Sequence, residues 1–261
     1  MNITNRVFVS FDEPCPYQCK HCYTYGIERE RIRTAEEIVD GISNDEFDII
    51  YVSQKNDNFS NPQKGLSLCR MLFERYNCNL FIITRNVFDD QELKVLENLK
   101  LDMQNAGKHI FVAISLNSLY SIDVCENVKK VPTPKERINF MKELSGRGFF
   151  PILMLRPIFP DKIIPVKECL EIIDYLYQYI SCVVASGLGI NCDILNRLGM
   201  KEADFTFNSA QEYLQGAIDC EIKFIDVDYE LDTIRQKCKE LHVPMFAHSM
   251  PALNYIIENF T

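Results

Sequence analysis

The sequence predicts an α/β protein built on a mostly parallel sheet, and three observations carry that reading. Short β-branched runs alternate with amphipathic stretches as far as residue 191. Helix-opening residues recur between the runs, giving five consecutive strand-to-helix steps, and such steps need right-handed crossovers that lay strands side by side in parallel. The 261 residues are enough to bury one large core as a single α/β unit.

The first strand is read at residues 7–11, "VFVSF". Thr34, with Glu37 three positions on, forms a capping box for the helix "TAEEIVDGIS". "FDIIYVS" from Phe47 is the second strand, and Asn61 with Pro62 supplies the cap and first-turn proline of the next helix. "NLFIITR" from Asn79 is the third strand, followed by a helix opened by Asp89 and Glu92. "HIFVAISLN" is the fourth, and Thr133 with Pro134 starts the helix after it. "FFPILMLRPIFP" is the fifth strand, "VKECLEIIDYLYQYI" a helix, and "SCVVASGLGIN" the sixth strand. Tyr175, Tyr177 and Tyr179 are expected at core and rim. Beyond Asn191 the pattern loosens, then recovers as the helix "DYELDTIRQKCKELH" and as "VPMFAH", a short strand or extended segment. Residues 192–261 are therefore read as a C-terminal α/β extension that closes or lines the mouth of the sheet.

A net charge of -9 opposes non-specific attraction to phosphate backbones or anionic lipid, and there is no Lys/Arg-rich hairpin to grip a duplex, so neither duplex DNA nor a membrane is an expected partner. No charged segment leads into a long apolar run, so a cytoplasmic protein is expected. In that reducing compartment, eleven cysteines point to free thiols plus a metal or cofactor site.

Three of those cysteines, Cys15, Cys19 and Cys22, fall in "CPYQCKHCY" close behind the first strand, with Pro14 and Pro16 stiffening the approach. Thiolates so close on one loop suit a soft metal centre. Structural zinc wants four ligands, and no second close-spaced pair offers the fourth; His21 is too tightly placed, leaving only distant His109, His242 or His248. A cubane iron–sulfur cluster held by three cysteines leaves one iron open to a small molecule. An unrelated redox thiol cluster is the remaining alternative.

The CxxxCxxC pattern, with His21 before the third cysteine, resembles the cluster motif of the radical S-adenosylmethionine enzymes. The resemblance implies a partial (β/α)6 TIM-like barrel, a [4Fe-4S] cluster on Cys15, Cys19 and Cys22, and S-adenosylmethionine on the fourth iron. It further implies reductive cleavage to a 5'-deoxyadenosyl radical that abstracts a hydrogen atom from substrate, and an electron donor such as flavodoxin or ferredoxin. Within residues 7–190 the order of "QKNDNFSNP", "VPTPKER" and "RPIFP" is similar to the branch related to spore photoproduct lyase. A cluster-bearing redox sensor without turnover is the rival in a different class.

By the same resemblance His21 and Tyr23 lie beside the adenine. The family's Gly-Gly-Glu stretch is replaced here by Ser53, Gln54 and Lys55, so Ser53, Gln54 or Asp57 is expected to bind the methionyl amino group. Ser115 and Asn117, two apart and thus on one side of a strand, suit the ribose or carboxylate. Arg156 is a cation among apolar residues; it needs an anion, either the methionyl carboxylate or a core acid. Ser186, with Gly187 and Gly189, permits close approach of the adenine. Cys182, Cys192 and Cys220 are read first as packing thiols and second as hydrogen-atom donors, and His248 as a residue near the mouth.

Overall fold

The computed structural model describes residues 2–25, 31–43, 46–53, 55–208 and 222–260. The first part of the chain runs β1 (Arg6–Val9), α1 (Ala35–Asp40), β2 (Ile49–Val52), α2 (Pro62–Tyr76), β3 (Asn79–Thr84), α3 (Asp90–Asn105), β4 (Ile110–Ser115), α4 (Ile122–Cys125), α5 (Pro134–Gly146), β5 (Ile152–Ile158), α6 (Val166–Leu176) and β6 (Cys182–Gly187). It continues with β7 (Gly189–Ile190), α7 (Cys192–Leu198), β8 (Phe207–Asn208), β9 (Lys223–Ile225), α8 (Asp228–Glu240), β10 (Met245–Phe246) and α9 (Ser249–Phe260). The capping boxes at Thr34, Asp89 and Thr133 all form, as does the Asn61 cap with Pro62 behind it.

Among the described residues the main sheet holds the six expected strands and a seventh from the extension, in the order β1-β2-β3-β4-β5-β6-β10. Every neighbouring pair is parallel. Spatial order follows chain order, so each crossover turns the same way and the sheet curls into a partial TIM-like barrel that stays open between β1 and β10. The "VPMFAH" segment supplies the seventh strand. The expected first strand ends early, at Val9, because side chains take over the ladder there: the Phe11 N–H donates to Asn58 Oδ1 (3.0 Å), and Asn58 Nδ2 donates to the Val9 carbonyl (3.4 Å).

Alternation along the strands sorts the core into two faces. Ile50, Val52, Leu80, Ile82, Val112, Ile114, Leu153, Leu155 and Val183 pack outward against the helices. Ile49, Tyr51, Phe81, Phe111, Ala113, Ile152, Met154 and Val184 face inward, where α9 fills the concave side with Ala252, Leu253 and Ile256. The extension thus plugs the barrel as well as bordering it. The α6 tyrosines correct the sequence reading: Cys169, Ile172, Ile173 and Leu176 form its buried row, and Tyr175, Tyr177 and Tyr179 are exposed. Cys182 is buried, Cys192 is exposed, and Cys220 lies outside the described residues.

Glu168, in the first turn of α6, organises the loop after β4. Its carboxylate accepts from the hydroxyls of Ser118 (2.6 Å) and Ser121 (2.6 Å) and from the N–H groups of Leu119, Tyr120 and Ser121. Burial pushes its pKa up, but these donors outweigh burial and bring it down to about 2. A depressed carboxyl contributes stability that is present above its unfolded value and is lost as pH falls through the folded one. Glu168→Gln should therefore cost about 2 kcal/mol at neutral pH, the scale of hydrogen bonds to a charged group. In thermal unfolding, the gap between wild type and variant should close as pH falls from about 5 to about 2.

Candidate functional site

Loops that follow parallel strands collect on one edge of the sheet, and the cysteine loop after β1 lies on that edge. Cys19 and Tyr17 are buried with Val131, and Cys15 and Cys22 pack against them. Burial pushes the Cys19 thiol up to about 12, with the Arg85 charge opposing it, and burial also raises Cys15. The turn itself is tight: Cys22 N–H donates to the Cys19 carbonyl at 3.0 Å, and Gln18 adopts a left-handed φ of 49°. Among the described residues no three His, Cys, Asp or Glu side chains form a group for a single metal ion.

Neighbouring elements pin this loop. Lys20 N–H donates to the Cys125 carbonyl at 2.9 Å, and Lys20 Nζ to the Asp123 carbonyl at 2.8 Å. Arg197, from α7 in the extension, donates to the carbonyls of Lys20 (3.0 Å) and Cys22 (2.6 Å) and stacks over Tyr25. Thr24 donates to the Lys55 carbonyl and lies 3.1 Å from the Cys22 sulfur.

Beneath the loop is a buried ionic network. Glu126 Oε2 accepts from Arg137 Nη2 at 2.6 Å, and Glu126 Oε1 from Arg85 Nε at 2.9 Å. Arg137 is fully buried, and its other donors go to the carbonyls of Ser115 and Pro132. Burial alone would raise the Glu126 carboxyl, but Arg137 and Arg85 hold it below the usual range. Asp57 joins the same floor, accepting from Thr84 Oγ1 (2.8 Å) and the Arg85 N–H (2.7 Å), and burial raises its pKa.

His21 links floor to loop. Its Nδ1 is 3.0 Å from the Cys125 carbonyl, which can only accept, so Nδ1 carries the proton. Burial and the Arg85 charge lower its pKa to about 4, so at neutral pH the ring is neutral and Nε2 accepts from Arg85 Nη2 at 3.2 Å.

The other expected site residues spread along the same edge. Ser53 has a φ of 110°, a conformation that favours glycine, at the place where the sequence resemblance expects glycines. Its hydroxyl accepts from Asn58 N–H at 3.1 Å. Gln54 lies outside the described residues. Ser115 is buried at the end of β4, and Asn117 Nδ2 donates to the Pro157 carbonyl at 2.9 Å, tying β4 to β5. Ser186 sits half-buried in β6. Arg156 has no carboxylate partner among the described residues; its Nη2 donates to the Ala247 carbonyl, and its buried Nε has no hydrogen-bond partner. Burial lowers its pKa to about 10, with the Arg6 charge adding to the effect against the Tyr51 and Tyr23 phenols. Burial and then Cys22 raise Tyr23 to about 12.

A variant of spore photoproduct lyase with bound S-adenosylmethionine and a dinucleoside spore photoproduct matches this structure at a TM-score of 0.64 and 13% identity, over 91% of this chain and 75% of that one. Streptococcus suis SuiB bound to precursor peptide SuiA matches at 0.62 and 11%, over 100% of this chain and 55% of that one. Both are radical S-adenosylmethionine enzymes. The chain shares their fold. No protein-family model and no curated protein matches the sequence, so the likeness is one of fold alone. No helix among the described residues is long and apolar enough to cross a membrane.

Sequence reasoning passed over Arg85, Glu126 and Arg197. Arg85 closes an otherwise apolar strand, the signal that picked out Arg156, whereas Glu126 and Arg197 sit in segments without periodicity. Glu126→Gln should leave the fully buried Arg137 without a counter-charge and take from the partly buried Arg85 one of its two carboxylates, costing about 3 kcal/mol in urea unfolding, the scale of a broken buried pair.

Proposed function

We propose that this chain is a radical S-adenosylmethionine enzyme in which Cys15, Cys19 and Cys22 hold a [4Fe-4S] cluster. The carrying observation is that Cys19 is buried in an apolar cluster with Tyr17 and Val131, with Cys15 and Cys22 packed against it, on the loop that follows the first strand of this fold. That donor set fits the cluster: a cubane spreads three thiolates over three irons, whereas structural zinc would draw four ligands to one point. When bound, the cluster and S-adenosylmethionine supply a 5'-deoxyadenosyl radical that takes a hydrogen atom from the substrate.

The chain's own residues bind, position and exclude water. Tyr17 and Val131 shield the sulfurs. Arg197 and the Cys125 carbonyl fix the loop backbone, and Arg85 places a positive charge toward Cys19. Tyr23 and the His21 backbone border the adenine, Ser53 the methionyl amino group, and Ser115 and Ser186 the ribose and adenine. Arg156 holds the methionyl carboxylate, and its orphan Nε supports that role because a buried unpartnered donor is costly. Asn117 acts as a positioning residue, since its amide is engaged by Pro157. A flavodoxin- or ferredoxin-like donor supplies the electron.

Anaerobically reconstituted and reduced wild type should release 5'-deoxyadenosine from S-adenosylmethionine, and Cys19→Ala should not. A fully loaded wild type that yields none, with or without candidate substrates, would favour a redox-sensing role instead. Arg156→Gln should keep the cluster's visible absorption yet weaken S-adenosylmethionine binding at least tenfold in equilibrium titration, about 1.4 kcal/mol.

A further inference from the structure

Arg85 is set differently from the other cation on the buried floor. Arg137 meets Glu126 as a fork, with Nη1 3.2 Å from Oε1 and Nη2 2.6 Å from Oε2. The acid is therefore engaged at both oxygens already, and Arg85 joins it through Nε alone, 2.9 Å from Oε1. The far end of the Arg85 guanidinium is turned to the cysteine loop, with Nη2 3.2 Å from His21 Nε2. An arginine that served the acid alone would present its two-pronged face to it.

His21 lies inside the turn between Cys19 and Cys22 that the Cys22 N–H closes on the Cys19 carbonyl at 3.0 Å. Arg85 thus touches the loop directly, and both partners are held from behind. The Arg85 N–H donates to Asp57 Oδ2 at 2.7 Å, and His21 Nδ1 is 3.0 Å from the Cys125 carbonyl. The Arg85 charge is the first influence that opposes burial at the Cys19 thiol, and Glu126 acts on that thiol with the opposite sign. The Arg85 side chain is 20% exposed, so its charge is less screened than that of Lys20, which is exposed and sends its Nζ to the Asp123 carbonyl.

Three thiolates around a [4Fe-4S] cubane make an anionic group, and the one electron that reduces it adds a further negative charge. A fixed cation in a poorly screened place favours the more negative form, and net charge near the sulfurs is one of the quantities that set cluster potentials. We propose that Arg85, held by Glu126 and His21, sets the reduction potential of a cluster on Cys15, Cys19 and Cys22 and makes that cluster easier to reduce. This role rests on the radical-enzyme reading, which supplies the cluster; it needs neither S-adenosylmethionine nor substrate.

The test is a reductive titration of the anaerobically reconstituted protein with titanium(III) citrate and viologen mediators, followed by the cluster's visible absorption in the absence of S-adenosylmethionine. Circular dichroism and iron content confirm that each variant is folded and loaded. Arg85→Gln should shift the equilibrium toward the oxidised cluster at least tenfold, a midpoint about 59 mV lower for one electron. Arg85→Lys, which keeps the charge, should stay nearer to wild type, and Lys20→Gln should move the midpoint less than Arg85→Gln does because solvent screens that charge. Glu126→Gln should move the midpoint the other way, to higher potential, whereas a purely structural loosening of the loop would move both variants alike. Should Arg85→Gln fail to load, the sign of the Glu126→Gln shift decides alone. Equal midpoints in wild type and Arg85→Gln, or a Glu126→Gln midpoint that is unchanged or lower, would overturn the role of Arg85 and leave the radical-enzyme reading standing. A wild type that assembles no cluster would overturn both.

Discussion

The site depends on one buried carboxylate. Glu126 is 1% exposed and sits between Arg137 of α5 and Arg85 at the end of β3. The carbonyl just before it, that of Cys125, receives both the Lys20 N–H and the His21 ring. Glu126 therefore fixes two things at once: the positions of two guanidiniums and the backbone against which the cysteine loop is seated. Desolvating such a network is expensive, and replacing Glu126, Arg85 and Arg137 together by well-packed apolar residues would serve stability as well or better. Its contribution is to register, because the ion pairs are satisfied in only one arrangement of β3, the loop after α4, and α5.

The sheet supplies the rest of the constraint. A singly wound order places every strand end on one edge, so residues far apart in sequence, Ser53, Arg85, Ser115, Arg156 and Ser186, lie at or near that edge, and Cys15 lies on the loop that leaves β1 there. The inner face cannot be left open to water along its whole length. In a closed barrel it would fill with its own side chains; here α9 supplies Leu253 and Ile256 in their stead. The gap between β1 and β10 is what remains, and there the inner row changes from aliphatic residues to Arg6, Phe8 and Tyr51.

Much of this was legible in the chain because the signals are local. Capping boxes at Thr34, Asp89 and Thr133 depend on four consecutive residues, and strand periodicity depends on nearest neighbours, so both survive folding unchanged. The cysteine triplet is equally local. What was not legible is tertiary. The early end of β1 follows from Asn58, 49 residues away from Val9 along the chain. The clamp by Arg197 crosses 175 residues to reach the Cys22 carbonyl. The seventh strand was open in the sequence as a short strand or extended segment, but its place in the main sheet, paired with Val183 and Val184, was not.

The exceptions to local rules also have an address. Among the described residues four non-glycine residues adopt positive φ values: Gln18 and Ser53 lie in loops on the strand-end edge, and Asn77 and His242 close the C-terminal ends of α2 and α8. The buried polar atoms without partners are Tyr51 Oη, Asn56 Oδ1 and Arg156 Nε, in or just after β2 and β5. Among the described residues, none of these unpartnered side-chain atoms belongs to a helix. An edge that holds its turns in costly conformations and leaves buried donors unpartnered is rigid where it must hold and incomplete where it must bind. Ser53 shows both properties in one residue: its backbone is held in a glycine-like turn by the Val9 carbonyl, and its hydroxyl is committed to Asn58. What it offers a ligand is therefore the hydroxyl's remaining capacity and the backbone of a turn already set before any ligand arrives.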